Sequence, residues 1–126
     1  MPRSAAGFRA EQLAVVSSLV HQKSTDTDVG DLITACEDDV TLATDPAIAA
    51  NLRDIRRDYD RARMLPTKLV AEISETSSLA MEAWKLAREH NAFSEFAPWL
   101  QKQLTLQRRK AECYGAPSGG ELYDAL

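Results

Sequence analysis

Apolar residues in this 126-residue chain recur at intervals of three and four, and the longest unbroken run of this pattern lies between two prolines. Asp45-Pro46 is a helix start signal, because aspartate accepts hydrogen bonds from free backbone amides and proline at the first helical position loses no needed bond. Leu65-Pro66 ends the same pattern. The sequence therefore predicts a long helix between the prolines, with an apolar stripe of Ile48, Leu52, Ile55, Tyr59 and Ala62.

Four further segments have the same helical spacing. The first extends from about Ala5 to Gln22, and the second opens at the capping pair Thr25 and Asp28. The fourth begins after Pro66 and ends near His90-Asn91, and the fifth extends from Phe93 to Tyr114, before Gly115. No segment alternates apolar and polar residues between hairpin turns. We therefore expect an all-α fold of about five helices.

The connection at Pro66 is very short, so we expect the third and fourth predicted helices to form a long antiparallel hairpin. The apolar positions of the other helices are expected to face inward. They are Phe8, Leu13, Val16, Leu19 and Val20 in the first helix; Val29, Leu32, Ile33, Cys36 and Val40 in the second; Leu69, Ile73, Ala80, Trp84 and Ala87 in the fourth; and Leu100, Leu104, Ala111 and Tyr114 in the fifth.

Length and composition predict one helical domain over residues 1–126. The net charge of −4 gives no reason to attract nucleic acid. No apolar run is long enough to cross a bilayer, and Met1–Ala10 lacks the apolar centre of a secretory signal, so we expect a soluble cytoplasmic protein without a membrane partner. Cys36 and Cys113 have no metal-ligand spacing and are expected to be buried free thiols.

Candidate catalytic residues are few. The two histidines, His21 and His90, each lack a second histidine at helical spacing, which makes a zinc site improbable. Glu37-Asp38-Asp39 is expected to be a solvated face, since consecutive helical side chains point about 100° apart and cannot converge on one ion. The sequence indicates no catalytic or metal residue of its own.

Two clusters leave alternatives open. Five arginines in the third predicted helix either contact phosphate or a peptide carboxylate, or form surface ion pairs with Asp54, Asp58 and Asp60; the second reading is favoured. They are Arg53, Arg56, Arg57, Arg61 and Arg63. Four aromatic residues around the turn between the fourth and fifth helices form either a ligand pocket or, more commonly, a packed corner. They are Trp84, Phe93, Phe96 and Trp99.

In order and spacing, several short stretches of this chain together resemble the carboxypeptidase Taq family of zinc metallocarboxypeptidases. The stretches are Met1-Pro2, Gly7-Phe8-Arg9-Ala10-Glu11-Gln12-Leu13, Asn51-Leu52-Arg53, Arg56-Arg57-Asp58-Tyr59, Ala83-Trp84, Ala87-Arg88, Phe93, Phe96, Pro98, Leu100 and Tyr123-Asp124-Ala125-Leu126. Such enzymes are all-helical, usually dimeric, and release single residues from peptide C-termini with a bound divalent metal, typically zinc. Their His-Glu-x-x-His helix, in which two imidazoles hold the ion, has no counterpart here.

The resemblance therefore implies the N-terminal helices that form one wall of a peptide groove. We expect such a chain to be a deliberately made fragment, the product of a split or truncated gene, or a product that starts at an internal methionine. We expect such a chain to be inactive alone, with no catalytic and no metal residue, and with Arg53, Arg56 and Arg57 at the groove rim. Zinc and the peptide substrate would belong to the full-length enzyme. The alternative is a stand-alone helical module that associates with itself as a homo-oligomer.

Overall fold

The computed structural model describes residues 5–126, so the resemblance at Met1-Pro2 lies outside the described residues. It confirms the all-α prediction, and the described part of the chain contains no strand. Six α-helices are followed by a short 3₁₀ turn. They are α1 (Ala6–Ser24), α2 (Thr27–Asp38), α3 (Val40–Thr44), α4 (Pro46–Arg63), α5 (Thr67–Glu89), α6 (Phe93–Tyr114) and the C-terminal 3₁₀ turn (Leu122–Ala125).

Aspartate side chains begin three of these helices. The Asp45 carboxylate accepts hydrogen bonds from the backbone N–H groups of Ala47 at 2.8 Å and Ile48 at 3.2 Å, which confirms the predicted start of α4. The start of α2 differs from the prediction, because its capping residue is Asp26 and not Thr25. Asp39 caps α3 in the same way as Asp45 caps α4.

The second predicted helix is divided at Asp39, which ends α2 and begins α3. The extended backbone of Asp39 changes the direction of the chain, so the helical register assumed for the whole segment does not continue. Val40, which follows this break, is consequently 75% exposed. Leu32 lies before the break and is 67% exposed, because the buried side of α2 carries Gly30 and Ile33. The prediction that Leu32 and Val40 face inward was wrong. Ile33 is buried as predicted.

The described residues form two compact units, and residues 5–19 and 65–126 belong to the first. Within this unit α5 packs extensively against α6. The two helices are antiparallel, because an ion pair of 2.8 Å joins Glu72 near the start of α5 to Arg109 near the end of α6. α1 is tied to α5 where the Ser17 hydroxyl donates to that of Ser74 at 2.8 Å.

Small and apolar side chains form the interior of this unit. Ala80, Leu106 and Ala111 are almost fully buried between the long helices. Thr76 is also buried, and its hydroxyl oxygen has no hydrogen-bond partner among the described residues. A buried hydroxyl without a partner destabilises the folded state. α6 ends at Tyr114, and the φ of 76° at the C-cap Gly115 favours glycine and confirms the predicted stop.

The second unit comprises residues 20–64 and is built on the contact between α2 and α4. Tyr59 of α4 is buried, and its hydroxyl donates to the backbone carbonyl of Asp26 at 3.0 Å. The ring lies directly over Gly30 of α2, which has no side chain to displace it. The predicted hairpin of the two long helices, α4 and α5, would join the two units and stays a prediction, as does the single domain.

The apolar face predicted for the first helix is not buried. Five apolar residues of α1 are each between 54% and 65% exposed, whereas Ala10 is fully buried and His21 nearly so. The prediction was wrong because valine, leucine and alanine occur on several sides of this helix, so that spacing alone did not show which side packs. The exposed residues are Phe8, Val15, Val16, Leu19 and Val20. No helix of the described residues is long and apolar enough to cross a membrane.

Candidate functional site

The turn between α5 and α6 brings aromatic residues of both helices together. His90 is the C-cap of α5, Asn91 adopts a φ of 52°, and the Ala92 N–H donates to the carbonyl of Ala87 at 2.8 Å. A side chain such as asparagine tolerates this left-handed backbone better than most. The chain reverses within three residues, so that the last turns of α5 face the first turns of α6.

An open cleft of about 370 Å³ lies at this reversal and is called the aromatic cleft below. The Phe93 and Phe96 rings meet edge to face, with centroids 6.5 Å apart and planes at 66°. The Arg88 guanidinium lies over the Trp84 ring, 5.3 Å from its centroid. The lining residues are Trp84, Ala87, Arg88, Asn91, Phe93 and Phe96.

The aromatic side chains do not close this corner. Phe93 is 66% exposed and Trp84 is 40% exposed, which is more than a packed corner allows. Of the two readings that the sequence left open, the structure favours a pocket over a packed corner. Trp99, the fourth aromatic residue, does not line the cleft and instead has the Lys102 ammonium 6.0 Å from its ring centroid.

Arg56, one of the three predicted rim arginines, is held by α2. Its Nε and Nη2 donate to the two carboxylate oxygens of Glu37 at 3.1 Å and 2.6 Å, and Nη2 also donates to the Thr34 hydroxyl at 2.8 Å. The hydrogen bonds between Arg56 and Glu37 hold the pKa of Glu37 below its ordinary value of 4.5 and raise the pKa of Arg56. The guanidinium therefore has an internal role in linking α2 to α4.

The other two arginines are exposed on α4. Arg57 forms ion pairs with Asp54 at 3.4 Å and Asp58 at 3.3 Å, so surface pairing of the predicted kind does occur on this helix. Arg53 has no ion pair with another described residue. The position of all three at a groove rim stays a prediction.

The acidic cluster is not an ion site. Glu37 is engaged by Arg56, while the Asp39 carboxylate accepts from the backbone N–H groups of Thr41 at 2.8 Å and Leu42 at 3.3 Å. These bonds, that of Thr41 first, lower the pKa of Asp39. The Glu37 carboxylate thus binds an arginine of α4, whereas the Asp39 carboxylate caps α3. Nowhere in residues 5–126 do three or more His, Cys, Asp or Glu side chains form a group that could hold a metal ion.

The histidines and cysteines also stand apart from any such group. His21 is buried on α1, and His90 is the C-cap residue that follows α5. Cys36 and Cys113 are free thiols, but both are half-buried rather than fully buried as predicted.

A second, larger groove of about 810 Å³ lies between α6 and the C-terminal 3₁₀ turn. Leu104 of α6 and Tyr123 and Leu126 of the terminal segment line it and are exposed. No pattern in the sequence predicts this groove. Four of the last five residues are apolar and were the available signal, but they indicate a groove only once the segment is seen to fold back on α6.

Comparison with known proteins relates the whole chain to one family. The family model described as carboxypeptidase Taq (M32) metallopeptidase matches residues 1–126. Thermostable carboxypeptidase 1 of Thermus thermophilus is 35% identical over 135 residues, covering 100% of this chain and 26% of the relative. Thermostable carboxypeptidase 1 of Pyrococcus furiosus is 45% identical over 78 residues, covering 59% of this chain and 15% of the relative.

A solved structure agrees with these sequence matches. The structure of CHT superposes with a TM-score of 0.72 at 32% identity, covering 100% of this chain and 25% of that chain. The chain spans about a quarter of the length of the Thermus relative, and the matched part of the relatives is N-terminal. Since the family model covers every residue, this chain belongs to the carboxypeptidase Taq (M32) metallopeptidase family.

Proposed function

We propose that this chain supplies substrate-groove helices to a metallocarboxypeptidase that releases C-terminal amino acids from peptides, and that it is inactive alone. The observation that carries the proposal is the family match over all 126 residues, combined with coverage of only 26% of the Thermus relative. Groove helices contribute shape and exclude water, while the reaction itself needs groups elsewhere.

The metal of such an enzyme would be held outside this chain. A catalytic zinc site needs three protein ligands that converge on one point, and the described residues contain no such group. The residues present therefore do not fit a metal, and no reaction step is assigned to them. We propose zinc for the complete enzyme only.

Arg53 and Arg57 are the better candidates for a positive rim, because their side chains are exposed on α4. Arg56 would act indirectly by fixing α4 against α2 through Glu37. A rim of this kind would attract the carboxylate terminus of a peptide from solution.

A chimera tests the proposed function. In it, this chain replaces the matching N-terminal segment of the Thermus enzyme, and amino-acid release from a blocked dipeptide is measured. We expect the chimera to release C-terminal residues and this chain alone to release none with or without added zinc. A folded, metal-loaded chimera without activity would contradict the groove role. Activity and stoichiometric zinc binding by this chain alone would contradict the assignment of the chemistry to other residues.

A second candidate function is a stand-alone, self-associating module. The exposed apolar residues of α1 favour it, because apolar surface left uncovered commonly drives association. Light scattering at micromolar concentration is expected to show an oligomer, and replacement of Leu19 by glutamate is expected to dissociate it. A monomer for the unmodified chain would exclude this candidate.

We also propose that the chain acts as one domain in the cytoplasm. A single domain unfolds in one step, so far-UV circular dichroism and tryptophan fluorescence are expected to give coincident urea transitions. Two separate transitions would contradict this proposal.

A further inference from the structure

We propose that the aromatic cleft at the α5–α6 turn binds the C-terminal residue of a peptide, with its apolar side chain against the aromatic rings of the lining and its carboxylate on Arg88. The choice of a peptide carboxylate rests on the proposed function, but the cleft is a property of this chain alone. All its lining residues lie within the first unit, on α5, α6 and the turn between them.

The apolar walls set the size and character of the ligand. Ligand pockets in proteins have volumes of about 300 to 1,000 Å³, so a cleft of about 370 Å³ accommodates a group of one amino-acid residue. The side chains of Trp84, Ala87, Phe93 and Phe96 offer carbon surface on several sides. A branched or aromatic side chain would cover these exposed rings and remove them from water.

The charge of the lining selects an anionic ligand. Among residues 5–126, Arg88 is the only charged residue that lines the cleft, and none of these residues places a carboxylate in it. Arg88 has no ion pair with a described acidic residue, so its guanidinium remains available to an external carboxylate. Guanidinium and carboxylate groups match in a planar, two-bond geometry.

Two further features orient the ligand. Stacking on Trp84 restricts the Arg88 guanidinium, so that less rotational freedom is lost when it binds a carboxylate. The Asn91 side chain adds amide donor and acceptor groups at the edge of the cleft. The peptide bond that precedes the terminal residue would form a hydrogen bond with this side-chain amide.

Binding can be followed by NMR with the full chain. The indole N–H signal of Trp84 reports on the cleft, and that of Trp99, which does not line it, is an internal control. The probes are N-acetyl-L-leucine, its neutral amide N-acetyl-L-leucinamide, N-acetylglycine and free L-leucine. We expect saturable shifts of the Trp84 signal with N-acetyl-L-leucine and at least about tenfold weaker binding of the amide, because charge-assisted bonds are roughly twice as strong as neutral ones.

The remaining probes separate the parts of the ligand. N-acetylglycine is expected to bind more weakly because it has no side chain for the rings. Free leucine is expected to bind more weakly than N-acetyl-L-leucine, because its ammonium group is repelled by Arg88. Tighter binding of free leucine would overturn the proposal, since it would identify a released amino acid rather than a peptide terminus as the ligand.

Variants test the named residues. Arg88→Gln is expected to weaken binding of N-acetyl-L-leucine about tenfold and to leave that of the neutral amide unchanged. Arg108→Gln, an exposed arginine that lines the other groove of α6, is the matched control and is expected to change neither. Phe93→Ala is expected to weaken both ligands, and circular dichroism would verify that each variant is folded.

Three results would overturn the proposal: no saturable shift of the Trp84 signal, equal affinity for the acid and its amide, or unchanged affinity in Arg88→Gln. These results are distinguishable from failure of the proposed function. An active chimera together with no ligand binding in the cleft would refute only the proposed cleft site. Ligand binding in the cleft together with an inactive chimera would refute only the proposed groove role in catalysis.

Discussion

Replacement of Gly30 by alanine is expected to loosen the contact between α2 and α4. The added Cβ would lie against the Tyr59 hydroxyl oxygen and only 2.9 Å and 3.0 Å from its ring atoms Cζ and Cε1. The ring has little room to move away, because Tyr59 is 5% exposed and its hydroxyl is bonded to the Asp26 carbonyl. The substitution therefore forces either helix separation or loss of this hydrogen bond.

The expected magnitude follows from three contributions. Overpacking of a closed contact costs about 1 to 3 kcal/mol. Loss of the tyrosine hydrogen bond adds about 1 kcal/mol. Alanine is favoured over glycine inside a helix by up to about 1 kcal/mol, which offsets part of the loss. We expect Gly30→Ala to lower the free energy of unfolding by about 2 kcal/mol.

Urea unfolding followed by circular dichroism measures this change. With a denaturant dependence of about 2 kcal/mol per molar urea, the transition midpoint is expected to fall by about 1 M. Gly7→Ala is the matched control, because Gly7 is also helical but its Cβ would meet no atom of residues 5–126 within 4 Å. That variant is expected to be as stable as the wild type or slightly more stable.

Testing Gly30→Ala in a variant without the Tyr59 ring separates the steric clash with this ring from other effects of the substitution on stability. Tyr59→Leu removes the ring and is itself destabilising, but adding Gly30→Ala to it is expected to cost nothing further. The reasoning would be refuted if Gly30→Ala were as stable as the wild type, or if it cost the same with leucine at position 59.

Three further predictions concern the same unfolding measurement. Thr76→Val is expected to raise the free energy of unfolding by about 1 kcal/mol, because it replaces a buried hydroxyl that lacks a described partner with a methyl group; a lower midpoint would contradict this. Asp45→Ala is expected to lower it by about 1 kcal/mol through loss of the α4 cap, while Asp45→Asn retains most of the cap; equal losses would contradict the capping role. The pKa values of Glu37 and Asp39 are lower in the folded state than their ordinary values of 4.5 and 3.8. Each carboxylate therefore contributes its full stabilisation of the fold at a pH above its ordinary pKa, and this contribution is lost as the pH falls through the lowered pKa of the folded state. Arg56→Gln is expected to remove the part of this loss that belongs to Glu37.

Local chemistry in the sequence was enough to place most helices. Asp45 and Pro46 begin α4, and Gly115 ends α6, because capping and backbone preferences act between residues that are neighbours in the chain. The break at Asp39 was not predicted, because Asp39 belongs to an acidic run that indicates a solvated face as well as a helix cap.

The candidate site depended on contacts that spacing does not encode. The sequence placed Trp84, Phe93 and Phe96 near one turn but left open whether their rings would pack or remain apart. The sequence also offered Arg56 partners within its own helix, and its observed partner is Glu37, 19 residues away. Such pairs form only when two helices are brought together.

The sequence by itself determined that the chain is helical, where its helices α4 and α6 begin or end, and to which family it belongs. Tertiary structure decided which face of each helix is buried, as α1 demonstrates with Ala10 inside and Val15 exposed. The physical reason is that helix formation is governed by the backbone and nearby side chains, whereas burial depends on neighbours distant in the sequence. The aromatic cleft belongs to this second class, because it exists only where α5 and α6 meet.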